Sequence, residues 1–240
     1  PDPPISPDDW ETIFDQLLSL WSRSYRPGQT ALIKATSDCS NLIAPALTAR
    51  PGSRAVLMYV SLESYLATMI VDGAPRPDIE GHAKTRLGDL LGFLDDPDGA
   101  GLNHPGPAHR VVISWLSGVA CLHHARIALA DRVMTLDFDA FLQNSRAGLR
   151  AAAQFLGLPD DDDAITGAIE GPVMRTYAKA PDHPYTPASR SAQLAENYAR
   201  SSGLVDEGLR WAEELISRQG SLQEVVERFP IRRPSETGTG

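Results

Sequence analysis

The stretch that most constrains the fold is residues 132–158, which read RVMTLDFDAFLQNSRAGLRAAAQFLGL. Residues 133–138 form a β-branched and apolar run that ends in acidic residues, a pattern typical of a buried strand. A helical pattern of apolar residues follows at once and ends at Gly157, with Pro159 two residues later. A buried strand that leads directly into a capped amphipathic helix indicates an α/β protein with a parallel sheet.

Two more apolar runs predict further strands of this sheet. Residues 30–36 (TALIKAT) and 55–60 (AVLMYV) are short, bounded by polar or turn residues, and followed by helical patterns. Helices are predicted over 61–71, 77–94 and 108–130, and over 187–219 as a pair divided near Ser202. We therefore expect an α/β fold, a three-layer sandwich with a mostly parallel sheet. No repeat or linker divides the chain, so we predict one domain over 1–220 and a C-terminal tail over 221–240.

The chain also carries a strong helix start near its beginning. Ser6 suits an N-cap, Pro7 suits the first helical position, and Asp8 and Asp9 favour the positive end of the helix dipole. Apolar residues at helical spacing follow this start: Trp10, Ile13, Phe14, Leu17, Leu18 and Trp21.

Charge and cysteine content restrict the class of protein. A net charge of -9 argues against a nucleic-acid partner, because such proteins usually present a basic surface. Two cysteines are too few for a disulfide framework, so we expect a cytoplasmic protein. Residues 111–130 are long enough to cross a membrane, but His123, His124 and Arg126 favour a buried core helix and no membrane partner.

Several familiar motifs are missing from the sequence. Neither phosphate-binding pattern, G-x-x-x-x-G-K-[ST] or G-x-G-x-x-G, occurs, and G-x-S-x-G and H-E-x-x-H are also absent. No histidine has ligand spacing with a cysteine or another histidine, so we predict no metal site.

Three segments, in order, resemble the sulfotransferase family. The strand end LDFDAFL, with the helix end FLGLP, is similar to the last strand–helix unit of that family, and TALIKAT is similar to an earlier strand. Residues 46–70, ALTARPGSRAVLMYVSLESYLATMI, resemble the family's 3′-phosphate motif. The resemblance implies a P-loop-hydrolase-like fold. It also implies transfer of a sulfuryl group from 3′-phosphoadenosine-5′-phosphosulfate to a hydroxyl or amine of a small-molecule acceptor.

The resemblance also assigns roles to individual residues. Lys34 takes the position of a lysine that stabilises charge, and Thr36 falls where some members place a catalytic histidine. Predicted cofactor contacts are Ser37, Asn41, Thr68, Arg175 and Lys179, the last two in a segment that closes over the cofactor in the family. The acidic position at Asp137 and Asp139 is mainly structural there.

The sequence departs from the family pattern in three places. The family's first strand and P-loop have no counterpart here, the catalytic histidine is replaced, and Tyr59 or Val60 stands where the family has a phosphate-binding arginine. We therefore predict no cofactor binding by residues 1–240 and an open sheet edge where the first strand would lie. Two hypotheses follow: sulfuryl transfer by the complete protein, and a binding or scaffold protein that keeps the fold without the chemistry. A kinase of the same P-loop class would need the same missing loop, and the FLGLP unit argues against it.

Overall fold

A computed structural model describes residues 5–98, 101–177 and 180–232. Its longer helices, of seven residues or more, are α1 (Pro7–Trp21), α2 (Ile43–Ala49), α3 (Leu62–Met69), α4 (Pro77–Leu91), α5 (Pro107–Ala128), α7 (Ser145–Leu156), α8 (Asp162–Glu170), α10 (Pro187–Arg218) and α11 (Gly220–Arg228). The short helices are α6 (Phe138–Gln143) and α9 (Pro172–Arg175), with 3₁₀ turns at Ser37–Leu42 and Ala130–Arg132.

The central sheet consists of two parallel strands. Strand β1 (Ala55–Tyr59) pairs with β4 (Val133–Asp137) in a register that joins Ala55 to Val133 and Tyr59 to Asp137. Two small antiparallel hairpins lie elsewhere, β2 (Ile70–Val71) with β3 (Ala74–Pro75) and β5 (Thr176–Tyr177) with β6 (Ala180–Pro184). In the described ranges β1 and β4 pair only with each other, so this two-stranded sheet is open at both edges. The mixed α/β class is therefore confirmed, although helices form most of the molecule.

The strand predicted at residues 30–36 is wrong. This segment has no regular secondary structure and pairs with no described strand. Leu32 is 69% exposed and Ile33 is 49% exposed, so the segment has no covering layer either. Its apolar run, Ala31 to Ile33, is only three residues long, and a strand needs a neighbouring backbone for its hydrogen bonds.

Helix α5 forms the centre of the core. It packs against α3, α4 and α10, and most of its length is buried, from Ala108 to Ala125. The indole nitrogen of Trp115 donates to the carbonyl oxygen of Val60 at 2.9 Å, which ties the helix to the end of β1. By length and composition alone α5 could cross a membrane, but here it is the buried core helix that its histidines and arginine favoured.

The strand–helix unit at 132–158 forms as predicted, with one interruption. The expected single helix is divided into α6 and α7 at Asn144, whose side chain accepts from the amide of Ala147 at 3.3 Å and caps α7. Gly157 ends α7 in the left-handed conformation, with φ of 71°. The capping asparagine explains the division, because its side chain competes with helical backbone bonding.

The C-terminal part is more ordered than its composition suggests. Helix α10 is kinked at Ser201, close to the predicted division at Ser202. Beyond residue 220, helix α11 packs on α5 and α10, and Leu222 and Phe229 are fully buried. The core therefore continues past the boundary that we predicted for the tail.

Candidate functional site

The carboxyl ends of β1 and β4 are the place where an open α/β sheet usually binds its ligand. A helix begins directly after each strand. The hydroxyl of Ser61 accepts from the amide of Ser64 at 3.2 Å and caps α3. The carboxylate of Asp137 accepts from the amides of Asp139 and Ala140, at 2.8 and 3.1 Å, and caps α6. Two helix N-termini, which are favourable places for an anion, thus meet at this edge.

The first amides of α3 have no partner within the helix, and they donate instead to carbonyls of the protein's own C-terminal segment. The amide of Leu62 donates to the carbonyl of Pro230 at 3.3 Å, and the amide of Glu63 donates to the carbonyl of Ile231 at 2.8 Å. Phe229 anchors this segment, because its buried ring packs edge-on against Tyr59 with centroids 4.8 Å apart. Burial also raises the pKa of Tyr59, so its phenol stays neutral. Backbone carbonyls of the same chain therefore occupy the place at the start of α3 where an anion would bind.

A charged cluster joins the two strand ends to α10. The carboxylate of Asp139 accepts from the Ser64 hydroxyl at 2.8 Å and from the Arg190 guanidinium at 2.5 Å. Arg190 also donates to the phenol of Tyr185 at 3.3 Å and lies over the Phe138 ring, 5.0 Å from its centroid. The side chains of Arg190 and Asp139 are only 14% and 24% exposed. These contacts satisfy both charges and make the cluster a structural link between α3, α6 and α10.

The sequence pointed to Asp139 but not to Arg190 or Ser64. Arg190 follows Asp139 by 51 residues and stands in the first turn of α10, outside every quoted motif. A lone arginine in a first helical turn, where the dipole disfavours cations, is the one local signal that could have marked it.

The two predicted catalytic residues lie outside the sheet. Lys34 and Thr36 are exposed on the irregular segment that precedes the first 3₁₀ turn. Lys34 makes no described hydrogen bond or ion pair, and the hydroxyl of Thr36 contacts only the Cys39 sulfur, at 3.9 Å. No described contact joins either residue to the cluster around Asp139.

The predicted cofactor contacts are also dispersed. Ser37 and Asn41 share the 3₁₀ turn, whereas Thr68 lies in the second turn of α3 and donates its hydroxyl to the carbonyl of Ser64 at 2.7 Å. Arg175 is exposed at the end of α9, beside the β5–β6 hairpin. Lys179 lies outside the described residues. Of the described cofactor residues, only Ser37 and Asn41 share an element, and Thr36 stands at the N-cap of the same 3₁₀ turn.

A buried arginine holds the 3₁₀ turn in place. Arg86, on α4, is 4% exposed, and its guanidinium donates to the Ser40 hydroxyl at 2.8 Å and to the Ser37 carbonyl. The Asp38 carboxylate lies 3.5 Å away and provides the counter-charge. Sequence reasoning missed this residue, because a single arginine in an amphipathic helix normally lies at the surface.

A cavity of about 310 Å³ adjoins this turn. Its wall includes Asn41, Asp89, Phe93, Cys121 and His124. Burial raises the pKa of Cys121 to about 11, so the thiol is protonated at neutral pH and is a poor nucleophile. No group of three or more metal-ligating side chains is found in the part of the chain that is described. The cavity offers polar contacts and an apolar wall, but no activated nucleophile.

The strand-end donor set does not fit a phosphosulfate cofactor. The α3 amides are bonded to backbone carbonyls, the start of α6 holds a carboxylate, and Tyr59 and Val60 stand where the resemblance leads one to expect a phosphate-binding arginine. Comparisons with protein-family models, with curated proteins and with solved structures found no match.

Proposed function

We propose that this chain is a binding or scaffold protein with a sulfotransferase-like α/β fold, and that it does not carry out sulfuryl transfer. The fold assignment is supported by β1 and β4, which are parallel neighbours, each followed directly by a helix. One observation above all supports the lack of sulfuryl transfer: the amides at the start of α3 donate to the carbonyls of Pro230 and Ile231 and are not available to a phosphate.

Electrostatics at the strand ends supports the same conclusion. A phosphate placed between α3 and α6 would approach the carboxylates of Asp137 and Asp139, which cap and bridge the two helices. Arg190 is a nearby cation, and it is already paired with Asp139 at 2.5 Å. A dianion would meet negative charge and occupied donors, which is the reverse of a phosphate site.

The test is a binding measurement with adenosine 3′,5′-bisphosphate, the nucleotide that the cofactor leaves behind. We expect no heat of binding in calorimetry and no change in the melting temperature at about 1 mM nucleotide. A ligand with a dissociation constant of about 10 μM would stabilise the protein by about 2.7 kcal/mol under those conditions. For a chain of this size that corresponds to a rise of several degrees, since 1 kcal/mol shifts the midpoint by about 2–4 °C.

Two variants make a positive result interpretable. Micromolar binding that Lys34→Ala and Thr68→Ala both abolish would refute the proposal, because the nucleotide would then occupy the family-like site. Glu11→Ala, an exposed substitution on α1, is the control for non-specific effects.

Sulfuryl transfer is the second candidate. The specific observation in its favour is the open edge beside the parallel pair of β1 and β4, where a further strand could add. In that case Lys34 would stabilise the leaving charge, and Thr36, Ser37 and Asn41 would line the site. Incubation of the chain with labelled phosphosulfate and a panel of hydroxyl and amine acceptors tests this candidate, and labelled product lost in Lys34→Ala would support it.

A further inference from the structure

Helix α1 presents an apolar face that the rest of the described chain does not cover. Phe14 and Leu18 are buried, but five other large apolar residues of the helix are between 37% and 57% exposed. We define the α1 seam as these five residues: Trp10, Ile13, Leu17, Leu20 and Trp21. A contiguous exposed stripe of this kind marks an interaction surface more often than scattered single residues do.

The contacts of Arg50 set the orientation of α1, so that the seam faces outward. The guanidinium of Arg50 pairs with the Asp15 carboxylate and donates to the Asp15 carbonyl at 2.8 Å and to the Ser19 hydroxyl at 2.6 Å. At 100° per residue, Asp15 and Ser19 lie on the side of the helix away from Leu17. Arg50 therefore holds the polar side of α1 against the body and leaves the seam exposed.

The spacing of the seam suits a second helix. Trp10, Ile13, Leu17 and Leu20 follow a 3-4-3 pattern, which corresponds to the a and d positions of a heptad. This spacing is typical of helix pairing, and the adjoining apolar residues Phe14 and Leu18 are the ones that are buried against the body.

The charges that flank the seam select an antiparallel copy of the same helix. With Trp10 at position a, Asp9 and Gln16 of α1 take g positions. Arg23 stands two residues past the end of α1, at the next heptad spacing, and its amide donates to the Leu20 carbonyl at 3.4 Å, which continues the helical turn. Antiparallel pairing about a two-fold axis near Gln16 sets Asp9 of one copy opposite Arg23 of the other, twice. Both side chains are exposed, and Arg23 makes no described ion pair within its own chain. A parallel pair would lack this complementarity.

The exposed area is sufficient for such a pair. Taking about 150–250 Å² for a whole large side chain, the five exposed fractions amount to roughly 500 Å² per copy. The roughly 1,000 Å² from two copies reaches the lower limit for a specific interface, before polar contacts are added.

We infer that the chain forms a two-fold symmetric dimer through antiparallel pairing of the α1 seams. This inference goes beyond the proposed function and does not depend on it, since it involves no residue of the strand ends. It predicts a concentration-dependent monomer–dimer equilibrium in which Leu17 and Ile13 of the two copies meet at the centre.

The experiment is sedimentation velocity on the chain from low to high micromolar concentration. We expect the wild type to double in mass as the concentration rises. Leu17→Glu should raise the dissociation constant by at least about 100-fold, because it buries two carboxylates against apolar side chains. Far-UV circular dichroism and thermal unfolding verify that this variant remains folded.

Charge reversal tests the orientation. Asp9→Arg and Arg23→Asp should each raise the dissociation constant by roughly 5- to 10-fold, because each turns two opposite-charge contacts into like-charge contacts. The double variant should return to within about 2-fold of the wild type, since the pairs are restored. Glu11→Arg, with the same charge change at position b, should leave association unchanged.

Three outcomes would overturn the inference. A monomer at every concentration excludes the dimer, and a dimer that persists in Leu17→Glu lies on another surface. Binding of the wild type, but not of Leu17→Glu, to zwitterionic lipid vesicles without any dimer in solution would assign the seam to a membrane surface.

Discussion

Replacement of Phe229 by alanine should destabilise the protein more than any other single change in the C-terminal segment. Phe229 is fully buried, packs against the core cluster, and holds the two carbonyls that bond to the start of α3. Its ring meets Tyr59 edge-on at an interplanar angle of 85°. The residue thus connects the end of the chain to the first strand of the sheet.

The size of the effect follows from these contacts. Truncation of a buried phenylalanine to alanine typically lowers the free energy of unfolding by about 3–5 kcal/mol. The aromatic pair with Tyr59 accounts for about 0.5–1.5 kcal/mol of that loss beyond area burial. We therefore expect a loss of about 4 kcal/mol, and a melting temperature lower by roughly 8–15 °C.

Urea unfolding, followed by tryptophan fluorescence and by circular dichroism, measures this change. Phe229→Leu should lose only about 1 kcal/mol, because it keeps most of the apolar volume. Arg228→Ala, an exposed neighbour, should stay within about 0.5 kcal/mol of the wild type. If Phe229→Ala behaves like Arg228→Ala, with an unchanged denaturant slope, the segment after α11 is not part of the core and the reasoning fails.

Three other substitutions, Cys121→Ala, Gly118→Ala and Gly208→Ala, test the interior. Burial raises the pKa of Cys121 from 9.0 to about 11. Between these two pH values the folded state keeps a proton that the unfolded state loses. The free energy of unfolding should therefore fall as pH rises from about 9 to 11. Urea unfolding at pH 8 and 11 measures the free energy of unfolding of the wild type relative to Cys121→Ala, and this difference should fall by about 2 kcal/mol between the two pH values. A difference that stays constant would show that the thiol is not buried. Gly118→Ala, with open space around the added Cβ, should stabilise α5 by about 0.5–1 kcal/mol. Gly208→Ala should destabilise by about 1 kcal/mol, because its Cβ would lie 2.9 Å from Leu66 Cδ2. Thermal unfolding measures the melting temperatures of both glycine variants. If both substitutions change the melting temperature by the same amount, Gly208 is not a close-packing position.

The local elements of the fold were predictable because their signals act over a few residues. Ser6 caps α1 and Pro7 begins it, Gly157 ends α7, and the apolar runs at 55–60 and 133–138 are the two parallel strands. The candidate site was less predictable. Thr68 was expected to contact phosphate, but its hydroxyl bonds to the carbonyl four residues earlier, an alternative that serine and threonine in helices often take.

The sequence by itself determined where α1 and α3 begin, where α7 ends and which two runs form the parallel pair, because capping, proline and apolar spacing act within about one helical turn. Tertiary structure alone decided that residues 30–36 form no strand, since a strand needs the backbone of a neighbour and the fold pairs this segment with neither β1 nor β4. It also decided that Ile231 bonds to the amide of Glu63 and that Arg190 pairs with Asp139. Those contacts join residues far apart in the chain, and they form only after packing around α5 has brought the elements together.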